Sequence, residues 1–121
     1  MNTKNIVSVL ALGIGSLASA GAYAHAKIEV AEPKANSELA AAPKVISLQF
    51  NERLEPAFSK IELFDGKDAT IKLPKAAVDQ TDPKKMTAQL PSLRAGQYLV
   101  RWTAMTHDGH KVKGDYRFKV K

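Results

Sequence analysis

The residues of this chain best suited to chemistry are its three histidines, and two of them bracket one short motif, His107-Asp108-Gly109-His110. Four consecutive positions there hold two imidazoles and one carboxylate. Gly109 permits a tight backbone path, so Asp108 and His110 can converge on one side of a turn. An imidazole and a carboxylate held together suit a borderline transition-metal ion better than they suit a hard cation. His107, one residue upstream, belongs to the opposite phase of the incoming strand and is expected to face solvent. The plain alternative is that D-G-H is an ordinary turn carrying a surface histidine.

The third histidine, His25, gains its chemistry from where the chain is cut. Lys4 is a short positive region, and Ile6 to Ala20 is an apolar run without a charge. Ala22-Tyr23-Ala24 then places small residues at the −3 and −1 positions of a cleavage site, the pattern of a secretory signal peptide. A retained membrane anchor would need roughly 20 consecutive apolar residues, whereas this run is shorter and is interrupted by Gly13, Gly15 and several serines. Residues 1–24 are therefore expected to be a cleaved signal. Residues 25–121 then form the mature chain in the periplasm, with no stable membrane anchor after cleavage.

Cleavage after Ala24 makes His25 an N-terminal histidine. Its α-amine and its imidazole Nδ1 can grip one metal together in a six-membered chelate ring. The amine has an unperturbed pKa of about 7.7–8.0, low enough for a metal to displace its proton. With Asp108 and His110 the set becomes one amine, two imidazoles and one carboxylate. Such a set suits tetragonal copper, Cu(II), at one ion per chain.

Composition removes several other classes. Residues 25–121 are one domain's worth of chain. The net charge of +6 loses only Lys4 on cleavage. The remaining basic residues are scattered, without the aromatic interleaving of a nucleic-acid platform, so no nucleic-acid partner is expected. The chain has no cysteine, which excludes both a disulfide framework and a thiolate metal site.

The elements that must position these residues read as strands. Ile46, Leu48 and Phe50 alternate with polar partners, as do Ile61 and Leu63 before the hairpin signal Asp65-Gly66. Thr70–Leu73 reads as the returning strand, and Met86–Leu90 as another. Tyr98, Val100 and Trp102 share one face, and Tyr116, Phe118 and Val120 share another. Ile28 and Val30 mark a weaker strand that Pro33 assigns to an edge. Residues 74–85 show no periodicity and read as a long connection. Short strands at regular spacing with Gly, Pro and Asp between them indicate an all-β sandwich or barrel. The aromatics are core by this pattern, not a ligand stack.

Ala22 to Ala26, AAPKVISLQFNERLEP at Ala41 to Pro56, GQYLVRWTAMTHDGHKVKG at Gly96 to Gly114, and the closing YRFKV together resemble the CopC family of periplasmic copper-binding proteins. The likeness covers essentially the whole mature chain. Its most specific part is the spacing W-x(5)-D-G-H-x(3)-G from Trp102 to Gly114. The resemblance implies a single Ig-like Greek-key β-sandwich of about seven strands. It also implies Cu(II) held by His25, Asp108 and His110, and a role in copper resistance beside an inner-membrane copper transport protein. Some members carry a methionine-rich segment for Cu(I). Met86 and Met105 lie far apart in sequence, so no second site of that kind is expected.

The leading expectation is a non-catalytic copper buffer or carrier. An oxidative copper enzyme built on an N-terminal histidine chelate is the first rival. The carboxylate ligand speaks against it, because it would fill a position that oxygen activation needs open. The second rival is a metal-free structural sandwich in which the histidines are incidental.

Overall fold

Alternating apolar residues and turn punctuation produce two β-sheets packed face to face. The structure is a computed structural model describing residues 26–121; the expected signal, residues 1–24, and His25 lie outside the described residues. Among the described residues the strands are β1 (Ile28–Glu32), β2 (Glu38–Leu39), β3 (Val45–Phe50), β4 (Lys60–Asp65), β5 (Thr70–Ile71), β6 (Ala77–Val78), β7 (Lys85–Gln89), β8 (Gly96–Met105) and β9 (Lys111–Val120), with a 3₁₀ turn at Pro56–Phe58. One sheet runs β1-β3-β7-β6 and the other β2-β9-β8-β4-β5. Every pairing is antiparallel except that of β2 with β9. The result is an Ig-like Greek-key β-sandwich.

Among the described residues nine strands stand where the sequence suggested about seven, because β2 and β6 are two-residue pieces that lie at sheet edges. Such short pieces generate no period-two signal. Thus β6 hides inside the stretch read as a plain connection, and the strand read over Thr70–Leu73 shrinks to Thr70–Ile71. Strand β9 is conversely longer than the apolar pattern suggested. Lys111, Lys113 and Asp115 point outward while Val112 and Gly114 face inward, so a glycine interrupts the visible alternation. β1 is an edge strand, as Pro33 indicated.

The core is the sum of the inward faces. β3 supplies Ile46, Leu48 and Phe50, β7 supplies Met86 and Ala88, and β4 supplies Ile61 and Leu63. From β8 and β9, in the same sheet as β4, come Tyr98, Val100, Ala104, Phe118 and Val120. Trp102 packs at the margin of this core, its ring edge-on to Phe50 of the opposite sheet at 5.2 Å. The Phe50–Trp102 contact ties the two sheets together at the end where β8 turns into β9.

Candidate metal centre

Strands β8 and β9 form one long hairpin whose last pair is Met105 with Lys111. The turn between them holds all four residues of the His-Asp-Gly-His motif. It closes by two backbone bonds, Thr106 N–H to the His110 carbonyl at 2.8 Å and Gly109 N–H to the Thr106 carbonyl at 2.9 Å. Gly109 has φ +93°, a left-handed conformation that side chains disfavour. With the chain so bent, Asp108 and His110 stand on one side. His110 Nδ1 lies 3.3 Å from Asp108 Oδ1, with the two side chains 57% and 55% exposed respectively.

Thr106 holds this pair from beneath. It continues the inward phase of Tyr98, Val100, Trp102 and Ala104, and is itself only 1% exposed. Its hydroxyl donates to Asp108 Oδ1 and accepts the His110 backbone N–H at 3.0 Å. The Thr106 hydroxyl, with His110 as a lesser influence, holds the Asp108 carboxyl below its ordinary value of 3.8. A hydrogen bond to the ionised form favours that form. Asp108 is thereby kept as a carboxylate, the state in which it can ligate a metal.

The segment after β3 joins this turn to the start of the described chain. Leu54, 4% exposed, bridges to Thr106. On either side of that bridge, His107 N–H donates to the Arg53 carbonyl at 2.9 Å and Glu55 N–H to the Met105 carbonyl at 2.8 Å. Two residues earlier, the Asn51 side chain accepts the Lys27 N–H at 2.7 Å, and Asn51 N–H returns to the Lys27 carbonyl at 3.1 Å. Ala26 is 6% exposed and belongs to the core. The first described residues are therefore fastened to the same end of the sandwich as the Asp108–His110 turn.

A shallow cleft of about 260 Å³ opens there, lined by Glu52, Arg53, His107 and Asp108. Among the described residues, Glu52 Oε2 is buried and meets no hydrogen-bond partner. A buried carboxylate oxygen without a donor is costly, and a bound cation is one group that would satisfy it. The described residues contain no gathering of three or more His, Asp or Glu side chains able to hold a metal. Asp108 and His110 thus supply two donors and leave further ones to be found.

Residues 28–121 match the CopC domain. The chain belongs to the CopC family. It is 38% identical over 119 residues to Protein YobA of Escherichia coli (strain K12), covering 98% of this chain and 96% of that one. It is 39% identical over 127 residues to Copper resistance protein C of Pseudomonas syringae pv. tomato, covering 100% of this chain and 98% of that protein. Among solved structures, CopC from Methylosinus trichosporium OB3b superposes with a TM-score of 0.76 at 33% identity, covering 80% of this chain and 94% of that one.

Of the three ligands expected from the sequence, Asp108 and His110 come together on this CopC domain, and His25 lies outside the described residues. His107 makes a different contact: its Nδ1 pairs with Glu55 Oε1 at 2.9 Å. Sequence reasoning missed Thr106, Glu52 and Asn51. For Thr106 the signal was present, since it occupies an inward position of β8's alternation yet carries a hydroxyl. Glu52 and Asn51 lie in a loop without periodicity, where only the three-dimensional path brings them to the site.

Proposed function

We propose that this protein is exported, trimmed so that His25 becomes its first residue, and holds one Cu(II) in the periplasm through the His25 amine and imidazole, Asp108 and His110. In this reading it is not an enzyme. It buffers or carries copper in copper resistance, with an inner-membrane copper transport protein as its recipient.

The observation that carries the reading is the placement of two chain features at one end of the sandwich. Ala26, bonded directly to His25, is anchored there through Lys27 and Asn51, and the Asp108–His110 pair projects from the turn that the same loop supports. The donors fit copper in its oxidised state: nitrogen and carboxylate oxygen with no thiolate, while the Met86 side chain is fully buried in the core. Membership of the CopC family supports copper as the cargo.

Titration of the mature protein, its start at His25 verified by intact mass, tests the reading. One tight equivalent of Cu(II) is expected, with a weak visible d–d band, no intense thiolate charge-transfer band, and strong weakening in His110→Ala. Cu(I) bound as tightly as Cu(II) in competition, or full binding by His110→Ala, would overturn the ligand set.

A further inference from the structure

His107 stands one residue before Asp108 yet has a separate environment. Its side chain is 68% exposed, and Nδ1 lies 2.9 Å from Glu55 Oε1. A carboxylate only accepts, so the proton of that bond sits on Nδ1. In the neutral ring Nε2 is then the lone-pair nitrogen, and among the described residues it meets no partner. A carboxylate that fixes the tautomer and orientation of an imidazole is the usual backing of a metal-ligating histidine.

The backing is itself rigidly placed. Glu55 immediately precedes the 3₁₀ turn, and its backbone is fixed by N–H donation to the Met105 carbonyl at 2.8 Å. Its carbonyl accepts the Ser59 hydroxyl at 2.8 Å, and that hydroxyl accepts the Met105 N–H at 3.1 Å. His107 is pinned in turn by its N–H to the Arg53 carbonyl. Both members of the pair are thus built onto backbone positions that the fold determines. His107 and Asp108 line the same shallow cleft.

We infer that His107, oriented by Glu55, is a second and weaker Cu(II) position beside the primary site: an exchange ligand through which copper enters and leaves. One imidazole with water completing the coordination sphere binds loosely and releases quickly, which suits hand-off rather than storage. Glu55 acts as a positioning residue. The inference rests on copper being the cargo, but not on the primary ligand set.

The test uses mature untagged protein titrated with Cu(II) past one equivalent, following ring-proton broadening by NMR and bound copper by equilibrium dialysis. A second, weaker equivalent is expected, with broadening at His107 that follows the first at His110. His107→Ala should remove the second event and leave the first unchanged. Glu55→Leu should weaken the second event about 10–100-fold, while Glu55→Gln, which still accepts the Nδ1–H, should largely restore it. Persistence of the second event in His107→Ala overturns the inference, as does its absence from a protein whose first equivalent binds normally. If the first event is missing and the His107 event remains, the primary ligand set fails and this inference stands. If neither occurs, both fail.

Discussion

At the residue scale, the centre depends on a side chain that need not touch copper. Thr106 is buried, so its hydroxyl has few alternatives to Asp108 and the His110 N–H, and losing it takes one hydrogen-bond partner from each group. Thr106→Val keeps the volume and removes the hydroxyl. The unmade hydrogen bonds should cost about 1–3 kcal/mol of stability. They should also free the Asp108 carboxyl to titrate closer to its ordinary value. The sign follows from the direction of its shift. A carboxyl depressed in the folded state stabilises the fold above its unfolded value, near 3.8, and that contribution is lost as pH falls through the lowered folded value. The difference in melting temperature between the native protein and Thr106→Val should therefore narrow as pH drops below about 3.8. Carbon-detected NMR titration of the Asp108 carboxyl reads the same effect directly. A midpoint that Thr106→Val leaves in place would show that the hydroxyl does not hold this charge.

At the element scale, the β8–β9 hairpin explains why the stretch from Trp102 to Gly114 was the most specific part of the sequence. Trp102 and Gly114 are register partners. A Cβ on Gly114 would lie 2.6 Å from Trp102 Cζ2 and 3.0 Å from Cε2. The indole therefore lies across the space that glycine leaves, with Phe50 against it from the other sheet. Gly114→Ala must push the ring or spread the strands, an overpacking cost of about 1–3 kcal/mol. Denaturant unfolding followed by the fluorescence of Trp102, the chain's single tryptophan, should show that loss. An unchanged midpoint would mean that the ring shifts freely. Much of the fold was legible because β3, β4 and β7 each bury one face, and burial imposes alternation. The two-residue edge strands β2 and β6 were not legible, since a pair of residues has no period, whereas β5 was found from the hairpin signal before it. At the centre, Asp108 and His110 could be read because the glycine between them announces the turn. Glu52 could not, because its place beside Asp108 depends on a loop that crosses between the sheets.

At the scale of the whole molecule, the sandwich brings distant parts of the chain to one end: the start of the described residues, the loop after β3 and the β8–β9 turn. The copper reading makes the first of these a ligand through its backbone as well as its side chain, which permits a test that alters no side chain. Acetylating the α-amine of His25 converts it into an amide nitrogen and creates no new terminal amine ahead of it. That nitrogen coordinates copper only after losing a proton it holds firmly at neutral pH. The chelate is lost, while the anchoring of Lys27 to Asn51 lies downstream of the addition. An acetyl group on the first residue leaves the described contacts from Ala26 onward in place. Cu(II) affinity should therefore fall by orders of magnitude in a competition titration, while the metal-free protein melts at nearly the same temperature. A sandwich with incidental histidines predicts no change in either quantity. A site made only of side chains predicts that affinity survives. Unaltered Cu(II) binding by the acetylated protein would thus remove His25's amine from the centre and leave Asp108 and His110 to find their remaining donors elsewhere, with Glu52 of the adjoining cleft the first to examine.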